Sequence, residues 1–291
     1  AAPPPRSAPP VFRHGRFEVT ILSDGALTLG AEILMPEAQE GPRLAMLRRL
    51  GGDAAGAQVR ANVPVIRAGE ELIVVDVGAG DAFQASLGRL AGNLAAAGID
   101  RRAVTRVILT HAHPDHSGGA LQPDGTLLFP EATWHVGREE WDFWTDPRFE
   151  ARRAPALHAF ARGARRDLLA VEDRVRRHVC GDEVAPGVRL VSTPGHTPGH
   201  MSVELDGPEP LLLVGDACTH DVIFFENPGW RFGFDTDPDL ALETRRRLLD
   251  RAASARMQVL GYHWTRSGPG RVERRGAAYR FLPSLPERIP T

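Results

Sequence analysis

VTRVILTHAHPDHSGG, residues 104–119, opens as an apolar strand and closes as a cluster of three histidines and an aspartate. The β-branched run VTRVILT (104–110) has the composition of a buried strand. His111 and His113 lie two apart, so an extended backbone turns both to one side. Pro114 then turns the chain, and Asp115 and His116 approach from another direction. A single histidine is ordinarily a satisfied core or surface residue. Four ionisable groups packed together at a strand end would instead cost several kcal/mol if buried unpaired, so the cluster points to a cation.

Further strands end in the same way. VRLVST (188–193) runs into PGHTPGH with His196, LLLVGD (211–216) ends on Asp216, and MQVLGYH (257–263) ends on His263. One edge of a sheet can therefore present seven potential ligands, more than one tetrahedral zinc uses and enough for two divalent ions. Only Cys180 and Cys218 are present, so imidazole and carboxylate must carry any metal.

Elsewhere, FEVTILS (17–23) alternates as a strand with Phe17, Val19 and Ile21 inward, and Asp24-Gly25 reads as the turn after it. VPVIRAG (63–69) and ELIVVDVGAG (71–80) read as neighbouring strands, and residues 81–99 carry Phe83, Leu87, Leu90 and Leu94 at helical spacing. Residues 120–178, including TWHVGREEWDFWTD (133–146), read as a helical, aromatic-rich insertion. Asp237-Pro238 caps a helix to about Ala253, with a short β-rich tail after residue 263. No repeat of 20–50 residues is visible. This order predicts an α+β fold of two packed sheets with helices outside.

The 291 residues hold 35 basic and 37 acidic groups, a net charge of −2, and every basic residue is arginine. Lysine nucleophiles are thereby excluded, and nothing in the balance favours nucleic acid or an anionic membrane. No apolar run approaches the ~20 residues of a membrane span. Residues 1–14, beginning AAPPPRSAPP, read as a disordered Pro-rich leader before a single domain over 15–291. The leader suggests a periplasmic or secreted protein after signal removal, against a cytoplasmic alternative.

THAHPDH, TPGHTPGH, GDA and GYH occur in the order of the metal-binding motifs of the metallo-β-lactamase superfamily, which this chain resembles. FEVTILSDG, VVDVGAG, LGRLAGNLAAAGI and FDTDPDLALETRRRLLD extend the resemblance to its methyl parathion hydrolase and organophosphorus hydrolase branch. The resemblance implies a four-layer αβ/βα sandwich of two mixed sheets, often a homodimer, with two divalent ions per chain. Zinc comes first, with manganese, cobalt or iron also accepted by such donors. It divides the ligands into His111, His113 and His196 on one ion and Asp115, His116 and His263 on the other, Asp216 bridging. A hydroxide shared by the ions would attack a phosphotriester or related ester, Asp115 and Asp216 being the candidate catalytic carboxylates. Lactones and aryl esters are the alternative substrates. Against lactones, Thr219 stands where one well-known type of acyl-homoserine lactonase has tyrosine. Asp76 and His200 are expected to support the ligands. Trp141, Phe143, Trp144, Thr219, Phe224, Phe225 and Phe232 are the expected pocket lining.

Overall fold

The computed structural model describes residues 8–284. The first sheet contains β1 (Val11–His14), β2 (Phe17–Gly30), β3 (Gly56–Ala68), β4 (Glu71–Val75), β5 (Arg106–Ile108), β6 (Thr133–Gly137) and β7 (Val175–His178). The second contains β8 (Glu183–Ala185), β9 (Val188–Ser192), β10 (Met201–Leu205), β11 (Leu211–Gly215), β12 (Gln258–Gly261), β13 (Gly270–Arg275) and β14 (Ala278–Pro283). Strands neighbour one another in chain order within each sheet. The first is antiparallel from β1 to β4 and parallel from β4 to β7. In the second only the β11–β12 pair is parallel.

Side-chain alternation builds the layers. Ile73 and Val75 of β4 join Val203, Leu211, Leu213 and Leu260 in an apolar layer drawn from both sheets. Leu72 and Val74 point the other way, into the larger cluster that takes in the helices. Burial on both faces explains the unbroken apolar run ELIVV. Helix Pro238–Ser254 starts at Asp237, whose carboxylate accepts from Leu240 N at 3.1 Å, and it packs on β13. The result is the expected metallo-β-lactamase fold, two mixed sheets packed together with helices against them.

Four sequence expectations change. Residues 1–7 of the expected leader lie outside the described residues, and Val11–His14 is not leader but a strand hairpinned onto β2, with Phe12 buried. Asp24-Gly25 is not a turn but a bulge within β2, because the Asp24 carboxylate turns inward to accept from Ala79 N, Gly88 N and Leu90 N. The helix expected over 81–99 spans only Leu90–Ala96: Gly88 takes φ +77° and Asp24 ties down the preceding loop, leaving Phe83 exposed. TWHVG within the expected helical insertion is β6, with Trp134, His135 and Val136 all buried, and β7 closes the insertion. No helix among the described residues is long and apolar enough to cross a membrane.

Candidate metal centre

His111 and His113 follow β5, and Pro114 opens the one-turn helix Pro114–Ser117 that carries Asp115 and His116. His196 lies in the β9–β10 loop, Asp216 directly after β11 and His263 shortly after β12. All seven are buried, none more than 8% exposed. The structure brings together every residue singled out as a ligand.

Donor atoms converge in three sets, each within 4.8 Å: His111, His113 and His196; His111, His116 and Asp216; and Asp115, His116 and His263. Asp216 lies between the two outer sets, with Oδ2 3.2 Å from His196 Nε2 and 3.4 Å from His263 Nε2, and Oδ1 3.4 Å from His116 Nε2. Asp115 Oδ2 stands 3.2 Å from His263 Nε2. His111 Nε2 and Asp216 Oδ1 are buried without a hydrogen-bond partner. Two orphaned donor atoms inside a ring of imidazoles and carboxylates fit a pair of divalent ions, which would satisfy both.

Electrostatics divide the histidines. Burial and the neighbouring imidazoles hold His111 and His113 well below the usual range. Burial also opposes the charged forms of His196 and His263, yet contacts with Asp216, Asp235 and Asp115 carry both up to about 9. Burial opposes the ionised form of Asp115, but His116 and His263 bring it down to about 2, so it is a carboxylate at neutral pH.

The surrounding groups fix the rings. Asp76 Oδ2 accepts from His116 Nδ1 at 2.8 Å, while its other oxygen takes Thr110 N at 2.7 Å. Its φ of +62° places a non-glycine residue in the left-handed region, where strain is held by three hydrogen bonds. His200 accepts from Asp216 N at 3.0 Å and meets Thr193 Oγ1 at 2.8 Å, matching its expected supporting role; burial drives it down to about 3. Gly215 at φ +54° allows this approach, since a Cβ there would fall 2.8 Å from His200 Nε2. Two further partners carry no motif in the sequence: Asp235, 2.9 Å from His196 Nδ1, and the Arg60 carbonyl, which accepts from His263 Nδ1 at 2.7 Å.

A cleft over the cluster is lined by Leu27, Leu29, Phe83, Phe160, Phe232 and Phe234, with His113, Pro114, Asp115, His196, Asp216 and His263 at its base. Of the expected lining only Phe232 is present. Trp141, Phe143 and Trp144 are core, Trp144 donating to Glu140 at 2.6 Å and stacking on Phe149. Phe224 sits beneath Phe232 under the Arg245 guanidinium, and Phe225 packs on Trp264. The Thr219 hydroxyl turns back to the Asp216 carbonyl at 3.3 Å. Leu27, Leu29 and Phe83 carry no local signal of a lining role, because the bulge and the loop that aim them are set by the Asp24 carboxylate through contacts distant in sequence.

An N-acyl homoserine lactonase of Bacillus sp is 47% identical over 68 residues, covering 23% of this chain and 26% of the lactonase. The N-acyl homoserine lactonase AttM of Azorhizobium caulinodans is 34% identical over 126 residues, 42% of this chain and 44% of its own length. The chain thus spans less than half the length of these curated relatives. Among solved structures, hydrolase AbOPH of the beta lactamase superfamily matches with a TM-score of 0.90 and 27% identity over 98% of this chain and 100% of that one. AidC, a dizinc quorum-quenching lactonase, matches with a TM-score of 0.87 and 24% identity over 97% and 99%. Residues 57–256, more than half of the chain, match the model of the metallo-beta-lactamase superfamily, and the chain belongs to that family.

Proposed function

We propose that this chain is a metal-dependent hydrolase that opens lactone rings, N-acyl homoserine lactones being its substrate class. One observation carries the reading: an aromatic-rimmed cleft ends on five of the seven buried donors, His113, Asp115, His196, Asp216 and His263, suiting a polar electrophile attached to an apolar chain. The relatives named as N-acyl homoserine lactonases support it. They also move phosphotriesters, first in the sequence reading, to second place.

In this reading His111, His113 and His196 hold one divalent ion, Asp115, His116 and His263 the other, and Asp216 reaches both. Bound there, the ions supply the Lewis acidity that activates water and polarises a carbonyl. The chain supplies orientation and proton handling. Asp76, Asp235 and the Arg60 carbonyl set the imidazole tautomers. Leu27, Leu29 and the phenylalanines exclude bulk water from the reacting ester. Among the described residues none lining the cleft bears a hydroxyl, Thr219 being turned away and the Tyr262 hydroxyl donating to the Asp115 carbonyl at 2.7 Å. Asp115, already a carboxylate, therefore takes the proton of the attacking water and returns it to the departing alkoxide.

Turnover of N-acyl homoserine lactones of several chain lengths, alongside a p-nitrophenyl phosphotriester, tests this reading. Lactone hydrolysis is expected to dominate. Phosphotriester turnover without lactone turnover would reverse the assignment.

A further inference from the structure

Glu140 is fully buried in helix Arg138–Thr145, and its carboxylate accepts four hydrogen bonds that divide between its two oxygens. Oε1 takes Ala112 N at 2.9 Å and Trp144 Nε1 at 2.6 Å; Oε2 takes Thr197 Oγ1 at 2.6 Å and Gly199 N at 3.2 Å. Ala112 separates His111 from His113, and Thr197 follows His196. One carboxylate therefore fastens both loops that carry the all-histidine set. The fit is close, since a Cβ on Gly199 would fall 1.9 Å from Glu140 N. Ala112 N, Gly199 N and the Trp144 indole can only donate and the Thr197 hydroxyl donates here, so the ionised form accepts from every partner even though burial raises the Glu140 carboxyl above its ordinary value, and no ion pair to Glu140 occurs among the described residues. A buried negative charge held only by dipoles lies behind the three histidines that would hold a cation.

We infer that Glu140 is a positioning residue that sets how tightly His111, His113 and His196 hold their divalent ion, by clamping the two loops in register and placing a negative charge behind them. The inference rests on the metal reading of the site and is independent of the substrate. Its geometric signature is the 2.9 Å separation of His113 Nδ1 and His196 Nε2, one from each clamped loop. The Asp115, His116 and His263 set takes its support instead from Asp76 and the Arg60 carbonyl, so the effect is confined to one of two sites.

Glu140→Gln tests this, because the amide NH2 opposes the donors on one side, releasing Ala112 N and Trp144 Nε1 if it faces them, or Gly199 N if it faces Thr197, whose hydroxyl can turn to accept. Metal-free full-length protein is titrated with Co2+ and followed by its visible spectrum and by chelator competition. The wild type is expected to take two equivalents. Glu140→Gln should bind the first normally and the second about 10- to 100-fold more weakly, the cost of losing a group that orients a ligand. Phe149→Leu, which loosens packing against Trp144 but leaves all four hydrogen bonds to Glu140 able to form, should lower the melting temperature and leave both equivalents unchanged. Should Glu140→Gln fail to fold, Thr197→Val cuts one arm alone and carries the same expectation. Wild-type affinity for both ions in the folded variant would overturn the inference, as would an equal loss in Phe149→Leu. Fewer than two equivalents in the wild type would overturn the metal reading itself.

Discussion

His113 Nδ1 and His196 Nε2 face one another at 2.9 Å across 83 residues of sequence. Burial and the adjacent imidazoles keep His113 neutral, while Asp216 and Asp235 overcome burial to raise His196 to about 9. A single proton therefore occupies the point on which two lone pairs would converge around a cation. Metal binding must expel it, along with the proton of His263, which is also raised to about 9. His116, also raised well above its ordinary value, must give up a proton as well, so affinity for Zn2+ is expected to rise with pH from neutrality to about 9, about tenfold per pH unit for each proton that the ion displaces. Calorimetry at pH 7 in buffers of different ionisation enthalpy measures that release; affinity independent of pH would contradict it.

Asp216 contacts His196, His116 and His263, so its loss touches both donor sets. Asp216→Ala is expected to retain at most one divalent ion per chain and to lose at least about 100-fold in kcat/KM. Elemental mass spectrometry beside a lactone assay checks both. Full activity with two ions retained would refute the bridging arrangement.

His135 offers an acid-sensitivity test away from the centre. It is buried on β6, meets His178 at 2.9 Å, and burial followed by His178 and Arg106 holds it down at about 3. A histidine whose folded value is depressed favours the folded state above its unfolded value, near 6.5, and that stability is lost as pH falls through 6.5 toward 3. One proton taken up on unfolding gives roughly 2 kcal/mol lost between pH 6.5 and 5. Urea unfolding at both values should show this loss in the wild type and a clearly smaller one in His135→Phe.

What the sequence discloses depends on whether a feature repeats locally. The ligands lie at four strand ends in short motifs, and all seven meet. Short apolar runs, and period-two alternation in FEVTILS, likewise locate most strands, ELIVV among them. Asp235 and Glu140 are different: each is one carboxylate that meets the ligand loops across sequence rather than within a motif, His196 lying 39 residues from Asp235, and Ala112, Thr197 and Gly199 lying 28, 57 and 59 residues from Glu140. The cleft was misplaced for a related reason. Trp141, Phe143 and Trp144 and the true lining Phe160 and Phe234 are all aromatic, and only the direction in which the fold turns each one, on a helix for Phe160 and in a turn for Phe234, separates core from mouth.

Phe160 and Phe234 are only half-buried and their rings meet at 5.8 Å, with Phe160 also 5.4 Å from the His113 ring. They retain apolar surface for a ligand to cover, whereas Phe232, 3% exposed, has little left. An acyl tail leaving the donor cluster would lie against this pair. Phe160→Ala is thus expected to lower kcat/KM for long-chain lactones roughly tenfold, about 1–2 kcal/mol of lost apolar contact, and to leave short-chain lactones almost unchanged. Phe232→Ala should chiefly reduce stability, by about 3 kcal/mol as a core truncation. Kinetics across chain length separate two roles for Phe160: a graded loss means that its ring contacts the tail, and an equal loss at every length means that it shapes the metal site through His113 instead.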